Sequence, residues 1–432
     1  MSLKKNKKII SIATIAALMH TAQPFASTNL FKPYSPTLRF AAAPKQCHFR
    51  VGANGEYGTS STGKNGNSRR ANVLNIFETS QSALAALEQP TDAVETAGFI
   101  AMRNQLRVAA ARDDGQRGHI ALSGKFEQWD VTPHVTYTTG VDFMPGNISL
   151  NVAVPMRGMR VHGITRKELT KTTGIVPVQD QATHYLLTDD IKAKAKTFGN
   201  LDLSDWEATG IGDVAVLLGW ANNYPQTKDN LENVELHAFV GFTAPTAAQK
   251  DEDKAFSIAL GNDGAWSLPI GLGLDLDFKN HIALGAEAQF EVLFDDTKVR
   301  RIKTSPAQTE FLLFNKTRVT KDHGLTWRFC LYGQAYHFLG GLSLKAAYEY
   351  VKHENDRLTP KSDSVSASAV NSSVRLHEWN MHHFIFQMNY DFFKGLEKSI
   401  IKPQISFFYK LPVDGKLVLA PQTFGGQVAF NF

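Results

Sequence analysis

From residue 423 to the C-terminal Phe432, apolar and polar positions alternate with a period of two. Phe424, Val428, Phe430 and Phe432 share one parity; Thr423, Gly425, Gln427, Ala429 and Asn431 share the other. Such alternation predicts a β-strand with a different solvent on each face. Reading backwards, 399–410 sets Ile401, Ile405, Phe407 and Tyr409 against Lys402, Gln404, Ser406 and Lys410, and 379–393 sets Phe384, Phe386, Met388 and Tyr390 against His383, Gln387 and Asn389. The pattern continues at 341–352, and most cleanly at 281–294, where Ile282, Leu284, Phe290 and Val292 oppose Glu287, Gln289 and Glu291. Further strands are predicted at 324–338, 268–278, 232–243, 212–221, 147–156, 131–140, 116–128 and 46–57. A last one, 97–111, puts Asn104 on the apolar parity. The total is about fourteen, within a range of 12 to 16.

The links between these strands alternate in length. Short connections at 113–115, 141–146, 279–280, 339–340 and 394–398 interleave with long ones at 58–96, 157–210, 244–266, 295–323 and 353–378. The link 129–130 is short where a long one is due, and 222–231 is of medium length on the short side. Trp129, Trp220, Trp266, Trp327 and Trp379 fall at strand ends, as an aromatic girdle at a membrane–water boundary requires. A soluble sandwich also alternates, but it rarely needs strands of twelve residues. In lipid every backbone polar group must be satisfied within the sheet, so the sheet closes. The predicted fold is an all-β, antiparallel, up-and-down transmembrane β-barrel over 46–432, with one short helix in an outer loop. Leu74, Phe77, Leu84 and Leu87 within 71–89 supply the helical spacing. Pro403, mid-strand on the apolar face, calls for a bulge.

A final strand ending on an aromatic resembles the C-terminal assembly signal of Gram-negative outer-membrane β-barrels, carried here by Phe424, Val428, Phe430 and Phe432. Architecturally the chain resembles porins and the fourteen-stranded fatty-acid-transporter barrels over nearly its whole length. The N-terminus agrees. Lys4, Lys5, Lys7 and Lys8 precede an apolar run from Ile9 to Met19, and small residues follow near Ala26. This reads as a signal peptide, 1–26, cleaved on export, followed by a lead-in at 27–45. The resemblance implies a bacterial outer-membrane location, with membrane lipid, lipopolysaccharide and the barrel-assembly machinery as partners.

Charge narrows the partners further. The formal net charge of +5 includes four signal-peptide lysines and no acids, so the mature chain carries about +1 and nothing favours nucleic acid. Cys47 and Cys330 are too few for a disulfide scaffold. Strand parity places His48, Arg50, Glu56, Arg103, Arg107, His119, Lys125, Glu127, Asp213, Glu235, His237, Asp275, Asp277, Glu287, Glu291, Arg328, Lys345, Glu349, Lys402 and Lys410 in the lumen. Fourteen strands enclose a narrow hydrated pore. The third outer loop, 157–210, occupies the position of the constriction loop of porins.

No motif adds chemistry. Gly58 to Lys64 has P-loop spacing, but Asn65 replaces the magnesium-binding hydroxyl and Gly66 breaks the helix that must follow. Ser61 and Lys64 form a Ser-x-x-Lys pair without its partner motifs. His382 and His383 are strand neighbours on opposite faces, so with His377 they cannot chelate one metal. Asp251, Glu252 and Asp253 lack the spacing of a calcium loop. Arg300, Arg301 and Lys303 in an outer loop read first as a solvated basic turn, with contact to lipopolysaccharide phosphates as the alternative. The expectation is a passive channel for small polar solutes, neither an enzyme nor a cofactor protein. Uptake of hydrophobic compounds and a closed, adhesive surface barrel are the alternatives.

Overall fold

Strand β1 (Phe49–Ser60) is hydrogen-bonded on one side to the last strand, β14 (Gln422–Asn431), and on the other to β2 (His119–Val141). With that double pairing the sheet closes on itself. The computed structural model describes residues 48–87, 97–110, 118–141, 144–169, 190–279, 281–392 and 401–432. The expected signal peptide, lead-in and Cys47 lie outside them.

Between β2 and β14 run β3 (Met144–Ala153), β4 (Met156–Glu168), β5 (Trp206–Ile211), β6 (Val214–Pro225), β7 (Leu231–Ala244), β8 (Ser267–Phe278) and β9 (Ile282–Leu293). These are followed by β10 (Thr326–Leu339), β11 (Leu342–His353), β12 (Trp379–Asp391) and β13 (Lys402–Lys416). The closed sheet has twelve strands, every pair antiparallel: β1-β14-β13-β12-β11-β10-β9-β8-β7-β6-β3-β2 and back to β1. Strand β4 continues the line of β3 along β2, and β5 continues the line of β6 along β4, extending one side of the wall.

Two differences reduce fourteen to twelve. The stretch around 97–111 is a helix, Ala97–Ala110, in the first outer loop. Among its described side chains Met102 and Leu106, four residues apart, are buried and Asn104 between them is exposed, whereas a strand would have buried alternate residues. The stretches 116–128 and 131–140 are one strand, β2, which runs unbroken through Trp129 and Asp130. The predicted helix within 71–89 is present as Ala83–Leu87, and helices Ile191–Gly199 and Ala367–Val370 add to it. Pro403 needs no bulge. It pairs in register with Phe430, while pairing of β13 to β12 begins at Gln404, so its missing N–H leaves no ladder partner wanting.

The outer wall is apolar. Exposed large side chains lie on one parity of β14 (Phe424, Val428 and Phe430, with Phe432 just past it), of β12 (Phe384, Phe386, Met388 and Tyr390, with Phe392 just past it) and of β9 (Ile282, Leu284 and Val292). These stretches match the ~9 to 11 residues that a tilted strand needs to cross the hydrocarbon of a bilayer. The short links lie at one end of the barrel, where Phe432 exchanges backbone hydrogen bonds with Phe49. The long links lie at the other.

At that loop end the chain builds an apolar core. Val73, Leu74, Ile76, Leu106, Phe256, Phe311 and Leu312 from the loops pack on Phe126, Val161, Trp206, Val351 and Trp379 from the strands. Both ends of the predicted loop 157–210 are strand, in β4 and β5, and its Ile191, Phe198, Leu201 and Leu203 join this core. The loops form a folded cap.

Candidate channel lumen

The interior alternates against the outer wall. On β2, Gln128, Asp130, Thr132, His134, Thr136 and Thr138 point inward and are buried, while Trp129, Val131, Val135 and Tyr137 point outward. Nearer the loop end the same inward parity carries Ile120, Leu122 and Phe126, buried in the cap. One strand thus changes the polarity of its inner face about Gln128.

That change corrects three expected lumen residues. Lys125 and Glu127 lie on the outward parity, where Glu127 accepts from Arg160 at 2.7 Å and sits 3.0 Å from His162. His119 meets Ser80 at the first residue of β2. Splitting β2 in two made polar residues look lumenal because, beyond the bilayer, polar residues face water outward and apolar ones face the cap. Arg103 and Arg107 are corrected as well, since both lie on the helix Ala97–Ala110 and on no barrel strand.

Arg50, Glu235, His237, Asp275, Glu287, Glu291, Arg328, Lys345, Glu349 and Lys410 are inward and buried, at 8% exposure or less. Glu56, Asp277 and Lys402 share the inward parity but are less covered. Asp213 sits between β5 and β6, where it accepts from the backbone N–H of Ala247 at 3.0 Å and from that of Asn262, so it anchors 245–266.

The inward charges are grouped. Arg328 Nε donates to Glu349 at 2.6 Å and its Nη1 to Glu287 at 3.1 Å; the other Glu349 oxygen lies 3.4 Å from His383 Nδ1. This group spans β9 to β12. Lys410 Nζ lies 3.0 Å from Glu56, and Arg50 donates to Gln404 at 3.1 Å. Arg157, within the predicted loop 157–210, donates Nε to Asp130 at 2.7 Å and Nη1 to the Leu260 carbonyl at 3.1 Å. Its only sequence signal was continuation of the alternation past Met156. Pairs at such burial are retained only where partners and hydrogen bonds replace water.

Sequence reasoning also missed a convergence of Glu235, His237 and Asp275, whose ligand-capable atoms all lie within 4.8 Å of one another. The Tyr332 hydroxyl donates to Asp275 across β9. Its ring passes over Gly285, where a Cβ would lie 2.2 Å from the ring, so glycine is required. Asp275 is far from Glu235 in sequence, and only the β7–β8 register joins them.

Other residues fall elsewhere. Trp129, Trp220, Trp266 and Trp327 are on the outer face, Trp266 half exposed, and Trp220 Nε1 donates to the Pro145 carbonyl. Trp379 is buried in the cap, stacked on His353 at 5.5 Å, and is no girdle residue. Phe424, Val428, Phe430 and Phe432 are all exposed on the outer wall. Gly58 belongs to β1 and Lys64 to a short strand, Thr62–Lys64, so the P-loop-like stretch is extended backbone. Arg300, Arg301 and Lys303 are engaged within the cap by Asp263 and Asp296, by Glu252 and Asp253, and by Glu78 and Glu310 respectively. They are not presented outward as a phosphate site. Cys330 is a free, buried thiol on the inner wall.

No family model matches the chain, and no curated protein sequence matches it. Among solved structures it is similar to outer-membrane channels. An outer membrane channel from Pseudomonas putida F1 shares 10% identity over 89% of this chain and 95% of that one, with a TM-score of 0.48. The toluene transporter TodX of Pseudomonas putida shares 8% over 90% and 89%, TM-score 0.36. The toluene transporter TbuX of Ralstonia pickettii shares 8% over 97% of each, TM-score 0.36. At these values the likeness says nothing of what this chain carries.

Proposed function

We propose that this chain is an outer-membrane channel for small polar solutes, closed at its outer end by the folded loops. One observation carries the reading: a closed barrel with an apolar outer belt has an inner wall of charged and hydrogen-bonding side chains from Asp391 near the short turns to Asp130 below the cap. An apolar solute on that path would displace hydrogen-bond partners without replacing them, at a cost of several kcal/mol per group. Carboxylates outnumber cations on the described wall: Asp130, Glu235, Asp275, Glu287, Glu291, Glu349 and Asp391 against Arg50, Arg157, Arg328, Lys345 and Lys410. Cations are therefore the favoured ions. Because these side chains are nearly all covered, conduction requires the cap or the wall to rearrange.

Uptake of hydrophobic compounds is the second reading, favoured by the apolar core at the mouth and by the Leu217–Phe239 contact on the inner wall. Export with cleavage of 1–26, insertion by the barrel-assembly machinery and contact with lipopolysaccharide belong to the same proposal. The test is planar-bilayer conductance of the refolded chain, together with uptake of sugars and of an aromatic hydrocarbon by loaded vesicles. Cation-selective steps and sugar entry support the polar channel. Silence with hydrocarbon entry supports the second reading. Silence in both assays points to a closed surface barrel, and a folded chain that stays soluble without detergent overturns the membrane reading.

A further inference from the structure

We propose that Glu235, His237 and Asp275 bind one divalent transition-metal ion on the inner wall of the barrel. Glu235 and His237 are two apart on β7, so both point inward, and Asp275 on β8 pairs directly opposite Glu235. All three are buried. Metal bonds of ~2.0 to 2.2 Å hold adjacent donor atoms about 3 to 4 Å apart. His237 Nδ1 and Asp275 Oδ2 are 3.6 Å apart, and no donor pair in the group exceeds 4.8 Å. One imidazole and two carboxylates, with no thiolate, suit zinc, manganese or ferrous iron and disfavour cuprous copper.

The surroundings hold the donors in place. Tyr332 donates to Asp275, the outer-shell contact that orients a ligating carboxylate. The His237 ring lies over Gly273, where a Cβ would come within 2.1 Å of the imidazole. Three protein donors leave coordination positions toward the interior, the arrangement of an exchangeable site.

The site rests on the barrel fold and not on the polar-channel reading, so its test does not depend on conductance. Untagged protein is refolded in detergent micelles, stripped with EDTA, and titrated with zinc and then manganese chloride, with binding followed by calorimetry and retained metal by mass spectrometry. The expected result is one zinc per chain at saturation. Tyr332→Phe should weaken binding about tenfold, the usual effect of losing an outer-shell partner. His237→Ala and Asp275→Asn should abolish saturable binding, while His382→Ala, near the outer face, should leave it unchanged. Heat-modifiable migration reports folding of each variant. No stoichiometric zinc on folded wild-type protein overturns the site, as does binding unaffected by Asp275→Asn in a folded barrel.

Discussion

Arg157 places its Nε 2.7 Å from Asp130 at the level where the polar interior gives way to the apolar cap, and the same guanidinium holds the carbonyl of Leu260. Wall and cap therefore share one side chain. Arg157→Ala leaves Asp130 buried without this partner, a change that typically costs about 3 to 5 kcal/mol. The expected outcome is a lower urea midpoint and more frequent channel opening. A variant with unchanged midpoint and unchanged conductance would show the pair to be inert.

Phe126 is fully buried where β2 enters the cap. Phe126→Ala removes a large side chain from a packed site, at a cost of about 3 to 5 kcal/mol. Hydrogen exchange should quicken in the loops before it does in β8 and β9. Uniform acceleration throughout would mean that cap and barrel unfold as one unit.

The cap also carries a pH response. Lys303 sits between Glu78 at 3.3 Å and Glu310 at 3.2 Å, tying the first outer loop to 294–325. Burial and then the Glu310 carboxylate push the Glu78 carboxyl above its ordinary range, against the pull of Lys303. A raised folded value means that Glu78 contributes stability fully below its unfolded value of about 4.3, and that this contribution fades as pH rises through the folded value. Asp356 behaves oppositely. Burial raises its carboxyl, but Lys321, His353 and His323 outweigh that and hold it well below the carboxylate range, so it stays charged through mild acid. The Glu78 contribution is isolated by comparison: once exchange rates are corrected for their intrinsic pH dependence, the ratio of loop protection at pH 4.5 to that at pH 7.5 should be higher in the native chain than in Glu78→Gln. The same ratio in Glu78→Gln as in the native chain would contradict the assignment.

Phe432 closes the barrel against Phe49, their rings 6.1 Å apart on the outer wall. Deleting Phe432 should sharply reduce the heat-modifiable band in cells while refolding in detergent proceeds. That contrast separates recognition by assembly machinery from barrel stability. Equal loss in both settings would assign Phe432 a packing role alone.

What could be read in the sequence was the part in which one rule holds along a whole strand. Phe384 to Tyr390 and Ile282 to Val292 lie on the outer wall as alternation requires, and Glu287, Arg328 and Lys345 face inward as their partners do. The rule failed where solvent changes along the strand. Lys125 and Glu127 stand beyond the bilayer on a wall whose inner face is apolar, so polarity there names the wrong side. It failed again at Ala97–Ala110, where Asn104 broke the period of two and the four-residue spacing of Met102 and Leu106 was the truer signal. Trp379 resembled a girdle residue by its place at a strand end, but His353, brought alongside it by the β11–β12 pairing, draws it inward. The group at Glu235, His237 and Asp275 depends on a register between strands, which no single segment encodes.

Strand β2 is 23 residues long, about 75 Å at the rise of an extended chain, more than twice the thickness of bilayer hydrocarbon. Its Ile120, Leu122 and Phe126 pack into the core of the loops, and from Gln128 to Thr138 its inner face is polar. One rod therefore joins the folded loops to Asp130, His134 and Thr138 inside the barrel. The surface of this protein is mechanically continuous with its bore.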